Sequence, residues 1–162
     1  MTEKLSTIEP FTVGVISDTH GLLRPNALQA LEGSDLIIHA GDVGNPEILD
    51  SLCSLAPLIA VRGNVDHGEW AHLLPQTQIA EVGEVLIYVL HDRHELDLDP
   101  AAAGFNAVIS GHSHMPSIEQ RNGVLYLNPG SAGPRRFSKP VSLAQIILQH
   151  GSISARIIPL DW

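Results

Sequence analysis

Cysteine is almost absent from this chain: Cys53 is the only one among 162 residues. One thiol cannot close an internal disulfide, which excludes a disulfide-stapled fold. Its setting in Ile48-Leu49-Asp50-Ser51-Leu52-Cys53 predicts a small buried hydrophobe on a helix. Positive charge is also scarce, with nine Lys and Arg against 18 Asp and Glu and a formal net charge of −9. That balance excludes a broad electrostatic surface for duplex DNA or anionic lipid, which needs clustered cations. No apolar run approaches the roughly 20 residues needed to cross a bilayer. The lead-in to Pro10 is acidic and has no apolar signal core, so the expected location is cytoplasmic, with no membrane partner.

What is present points to a compact metal-using protein. Apolar residues make up 44% of the sequence, enough for one sizeable core, and the length predicts a single domain over residues 1–162. A carboxylate-lined cleft repels phosphate unless cations invert its potential. An acidic chain with nine histidines is suited to recruit them.

The first half alternates short apolar runs with helical segments. Phe11 to Ile16 reads as a buried strand ending in Ser17-Asp18-Thr19-His20-Gly21. A helix over Asn26 to Glu32, with Pro25 in its first turn and Gly33 at its end, leads to a strand from Asp35 to Ala40. A second helix from Pro46 to Leu55 precedes a third strand, Leu58 to Val61. This β-α-β-α-β order predicts parallel strands, with the polar loops at their carboxyl ends. Farther on, runs at Thr77 to Val82, Val85 to Leu90, Ala107 to Ser110, Ser117 to Gln120 and Val124 to Leu127 read as hairpins of a second sheet. Ser142 to Leu148 and Ile153 to Ile158 form a last hairpin around His150-Gly151.

Ligand-type side chains crown five of these strands. Asp18 and His20 follow the first, Asp42 the second, Asn64 the third, His91 the run ending at Leu90, and His112 and His114 the run ending at Ser110. Each alone fits a turn former, a helix cap or a structural histidine. Together they form a set of oxygen and nitrogen donors held at neighbouring strand ends, which is what a metal site needs. His39 is read as structural from its strand alternation, and His72 and His150 as surface residues.

The ordered blocks Asp18-Thr19-His20, Gly41-Asp42, Gly63-Asn64, His91 and Gly111-His112-Ser113-His114 resemble the signature of calcineurin-like metallophosphoesterases. With Asn128-Pro129-Gly130-Ser131 following, they are most similar to the small bacterial and archaeal phosphodiesterase branch. The resemblance implies an α/β fold, a four-layer α/β/β/α sandwich with two mixed β-sheets. It also implies one metal on Asp18, His20, Asp42 and His114 and another on Asp42, Asn64, His91 and His112, with Asp42 bridging. Two positions depart from the pattern. Val65 and Asp66 follow Asn64 where larger relatives have a histidine, and Asp92 follows His91 where small ones often have glycine. The first departure removes the usual general acid and leaves His67, His94 or solvent to protonate the leaving oxygen.

The expected function is therefore hydrolysis of a small phosphodiester by a hydroxide bridging two divalent cations. Asp42, Asn64 and His112 would be the catalytic residues. The mixed donor set favours manganese first, then zinc, iron, cobalt or nickel. The expected partner is a small phosphorylated substrate, not nucleic acid, with a homo-oligomer anticipated. The alternatives are a phosphomonoesterase and a metal-free protein-binding scaffold of the same fold. Asn128 and Ser131 either present amides to phosphate or brace the histidine loop, and Arg135 and Arg136 are candidate phosphate contacts.

Overall fold

A computed structural model describes residues 10–160; the acidic lead-in, residues 1–9, lies outside them. The β-branched run Phe11–Ile16 forms β1, which pairs in parallel with β2 (Leu36–His39), itself parallel to β3 (Leu58–Ala60). The crossovers are α1 (Pro25–Leu31) and α2 (Pro46–Cys53), each with proline in its first turn, where its missing N–H costs nothing. Asn45 caps α2 by accepting a hydrogen bond from the Glu47 amide at 2.9 Å. Helix α1 lies directly over β1, because a Cβ at Gly14 would meet the Leu31 and Ser34 side chains. Cys53 is exposed rather than buried. The core face of α2 is carried by Ile48 and Leu52, and the next residue turns about 100° away from it.

The closing hairpin, β9 (Ser142–Gln149) and β10 (Ser152–Pro159), joins this first sheet. β9 is antiparallel to β1, and the strand order is β10-β9-β1-β2-β3. The second sheet holds β4 (Thr77–Val82), β5 (Val85–Leu90), β6 (Ala107–Ile109), β7 (Ser117–Arg121) and β8 (Val124–Asn128), in the order β4-β5-β6-β8-β7. Two hairpins occur where the pattern predicts them, β4 with β5 and β7 with β8. At the β7–β8 turn both Asn122 and Gly123 take positive φ, 52° and 79°, as a tight two-residue hairpin turn requires. β6 is not part of a hairpin. It runs parallel to both β5 and β8, reached through a 3₁₀ turn (Arg93–Glu95) and a one-turn helix. A further one-turn helix, α3 (Glu69–His72), precedes β4, so the helix before β6 is α4 (Pro100–Ala103). These pieces are too short to leave a helical period in the sequence.

Both sheets are thus mixed, and each contributes three parallel strands. The main core fills the space between them, with Val13, Val15, Ile38, Ile87, Val89, Ile109, Leu127 and Ile146 fully or almost fully buried. A second cluster seals α1 and α2 onto the outside of the first sheet. Tyr88, Phe105 and Val108 pack with Leu96 and Leu98 of the connecting segment on the outside of the second. The result is the expected α/β/β/α sandwich, thin in its last layer. Among the described residues no helix is long and apolar enough to cross a membrane.

Candidate metal centre

The parallel strands of both sheets end at one rim, and the loops there are zipped together. Beyond β1 and β2 the pairing continues: the amides of Asp18, His20 and Gly21 donate to the carbonyls of Gly41, Asp42 and Val43 at 2.9 to 3.0 Å. Across the rim, the His112 amide donates to Asp18 Oδ2 at 3.1 Å, and a Cβ at Gly111 would meet the Ser17 and Asp18 side chains. A Cβ at Gly63 would likewise strike the Asp42 backbone, so glycine is what lets the β3 loop approach. Five candidate ligands, Asp18, His20, Asp42, His112 and His114, sit at positive φ between 46° and 70°. Asp and His tolerate that region better than most residues, and such strain collects at functional sites.

This backbone gathers the side chains into two trios, Asp18 with His20 and His114, and Asp42 with His91 and His112. His114 Nε2 and His20 Nε2 lie 3.3 and 3.7 Å from Asp18 Oδ1. Asp42 Oδ2 stands between the trios, 3.6 Å from His20 Nε2 and 3.2 Å from His91 Nε2. Its other oxygen accepts the Val65 amide at 2.9 Å. Asn64 Oδ1 is 3.2 Å from His112 Nδ1. All seven residues singled out in the sequence therefore meet at this rim.

The electrostatics suit a cation. Burial alone would push the Asp18 carboxyl up, but the close His114 and His20 rings, the charge of His91 and the Ser17 hydroxyl hold it well below the usual carboxylate range. Asp42 is also lowered, with burial opposed by His91 and the Val65 amide. The His91 imidazole is raised, burial being outweighed by Asp42 and Asp18. Three buried side-chain atoms among the described residues have no hydrogen-bond partner, and two of them, Asp18 Oδ1 and His91 Nε2, face the cluster. Orphaned buried polar atoms are rare and ask for an explanation; a cation held there would supply one. His91 is preset for it, because its Nδ1–H donates to the Ala40 carbonyl at 2.7 Å and leaves the Nε2 lone pair facing inward. His20 and His114 bring two ring nitrogens within 3.2 Å, a spacing that a shared ion also accounts for.

The surrounding residues are structural supports. His39 is fully buried and is not in the cluster. Its Nδ1 accepts from the Gly41 amide, which leaves Nε2–H to donate to Thr19 Oγ1 at 3.0 Å. His72 and His150 are exposed. Asn128 donates to the Gly111 carbonyl and Ser113 Oγ, both at 3.0 Å, and Ser131 donates to the Asp18 carbonyl at 2.9 Å, so this turn braces the ligand loops. Arg135 and Arg136 are exposed.

Sequence reasoning missed Asp66. Its buried carboxylate accepts from the amides of Val43, Gly44 and Gly63 at 3.2, 2.9 and 2.9 Å, tying the β2 loop to the β3 loop. An Asx residue among glycines is the signal that marked it, though a turn former gives the same signal. Asp92 accepts from the His94 amide and ring at 3.0 and 3.1 Å, and its other oxygen lies 3.8 Å from His112 Nε2.

Comparison with known proteins agrees with this geometry. A probable metallophosphoesterase of Methanocaldococcus jannaschii is 38% identical over 162 aligned residues, spanning 92% of this chain and 81% of that protein. Escherichia coli phosphodiesterase YfcE is 30% identical, with 87% and 94% covered. Among solved structures, an archaeal phosphodiesterase superposes with a TM-score of 0.76 at 26% identity, covering 93% of this chain and all of that one. Chaetomium thermophilum Vps29 superposes with a TM-score of 0.74 at 19% identity over 93% and 97% of the two chains, a likeness of fold alone. Residues 11–151, which include every side chain gathered at the rim, match the calcineurin-like phosphoesterase superfamily domain, and the chain belongs to that superfamily.

Proposed function

We propose that the chain is a metal-dependent phosphodiesterase for a small substrate, with two divalent cations, manganese first, held at the rim. The observation that carries this reading is Asp42 Oδ2, poised between His20 and His91 at 3.6 and 3.2 Å where the two trios meet. Asp18, His20, Asp42 and His114 would hold one ion, and Asp42, Asn64, His91 and His112 the other. Such ions supply activation of the attacking water and neutralisation of charge on the phosphoryl oxygens.

The chain's own residues do the rest. Asp42, braced by the Val65 amide, would contribute to both ion positions. Asn64 and His112, both exposed, stand at the open side, where a phosphoryl group would arrive, and orient it. No histidine follows Asn64; Val65 is there, 39% exposed. Of the other proton sources, His94 is linked to the site through Asp92, which hydrogen-bonds it and faces His112. His94 is therefore the better placed donor to the leaving oxygen.

The test is hydrolysis of bis(p-nitrophenyl) phosphate and p-nitrophenyl phosphate by metal-stripped protein re-supplied with each divalent ion, beside Asp42→Ala. Diester turnover should return with manganese, exceed monoester turnover, and fall at least about a hundredfold in the variant, more than the loss of a supporting contact causes. Preference for the monoester would make it a phosphomonoesterase. A folded protein silent with every ion would favour the scaffold reading.

A further inference from the structure

Among the described residues, two clefts of very different size border the rim at His112 and Asp92. One has a volume of about 490 Å³ and runs from those residues along the β7–β8 hairpin, past Arg93, Arg121 and Tyr126. The other is about 170 Å³ and is lined on the metal side by Asn64 and His91. Small-ligand pockets occupy roughly 300–1,000 Å³, so the larger cleft alone can take a bulky group.

A phosphodiester centred on the metal cluster has two ester arms, and these two clefts are where the arms can go. Two arginines, Arg93 and Arg121, line the larger cleft, whereas the smaller has one, Arg62, set against the carboxylate of Glu95. The Arg93 guanidinium lies over the Tyr126 ring, 4.6 Å from its centroid, and that of Arg121 is 5.9 Å away. Both reach for a single carboxylate, Glu119. Arg121 contacts it at 3.0 Å, while both Arg93 contacts are at 3.4 Å, beyond the usual 2.7–3.2 Å of such bonds. Arg93 is thus held over an aromatic face and shares one carboxylate with Arg121, so the two guanidiniums keep an excess positive charge and planar donors for a second anion. The carboxylate that lines the cleft itself, Asp92, is at its metal end, against His94 and His112.

We propose that the larger cleft is a subsite for the bulkier arm of an unsymmetrical phosphodiester, and that Arg93 and Arg121 select an arm bearing a second negative charge, a phosphate or carboxylate. This rests on the diesterase reading above. Neither arginine touches the reacting phosphoryl group; both act on affinity and specificity.

The experiment compares thymidylyl-thymidine (TpT) with its 5′-phosphorylated form (pTpT) on the manganese-loaded full chain. The same pair is tested in binding, by calorimetry, with a methylphosphonate linkage that cannot be hydrolysed in this way. The phosphorylated substrate should show a KM lower by roughly tenfold or more, the scale of one charge-assisted hydrogen bond, with similar kcat, and its analogue should bind tighter by a similar factor. Arg93→Met with Arg121→Met should bring both ratios close to one. Glu119→Gln, which frees the guanidiniums, should raise them, and this keeps the test decisive if the arginine variant folds poorly. Turnover of both substrates with ratios near one in the unmodified protein would overturn the subsite and leave the diesterase standing. Absence of turnover of any diester would overturn the diesterase reading and the subsite with it.

Discussion

His39 shows how a buried histidine beside a metal cluster is kept out of the chemistry. Both its nitrogens are engaged, by the Gly41 amide and Thr19 Oγ1, and burial pushes its pKa down to about 4 from 6.5, against the pull of Asp18, Asp66 and Asp42. Between those values the unfolded chain binds the proton and the fold does not, so stability is fully present above about pH 6.5 and declines as pH falls toward 4. From pH 7 to pH 5 this one group should remove about 2 kcal/mol. Its neighbour His91 is shifted the opposite way: its contribution is present at low pH and is lost as pH rises through its folded value. Urea denaturation in chelator, comparing the unmodified protein with His39→Gln, isolates the first effect. The variant should be less stable at pH 7 but lose less on going to pH 5. An equal loss in both would remove His39 from the account.

At the scale of elements, the rim depends on loops that carry no regular structure yet are fully tied. Asp66 is the clearest case, one carboxylate accepting three amides from the β2 and β3 loops. Asp66→Ala would leave those donors unpaired near the core, at a cost of at least about 3 kcal/mol. Because the same loops carry Asp42 and Asn64, the variant should also bind manganese more weakly, which titration with the ion would show; unchanged affinity would confine Asp66 to stability. The strands bearing the ligands were legible because their β-branched runs stop abruptly at polar residues, and the seven ligand candidates were legible as the residues at those stops. The parallel setting of β6 was not, since α4 is one turn long and the residues before Ala107 carry no period. Nor was the exposure of Cys53, which sits at the last position of α2, just past its buried stripe. Asp66 looked like a turn residue because its partners are backbone amides, and backbone amides leave no trace in a sequence.

For the whole molecule, the candidate ligands come from both sheets: Asp18, His20, Asp42 and Asn64 follow strands of the first, and His91, His112 and His114 follow strands of the second. Metal binding should therefore stabilise the entire fold, by about 2.7 kcal/mol when the free ion is a hundred times its Kd. Thermal unfolding should shift upward with manganese, and much less in Asp42→Ala. The shift should shrink as pH falls, because the raised His91 must give up its proton before its Nε2 can bind. A shift of equal size at pH 5 and 8 would remove His91 from the ligand set.

The convergence of two sheets on one rim also bears on how the molecule comes apart. The sheets share an apolar interior that has no directional bonds across it, so their relative position depends on side-chain packing and on what joins their edges. An ion at that edge is a clasp: while it is fastened, neither sheet can slide or hinge from the other without breaking coordination. Opening of the sandwich at that edge and release of a bound ion would then be one event.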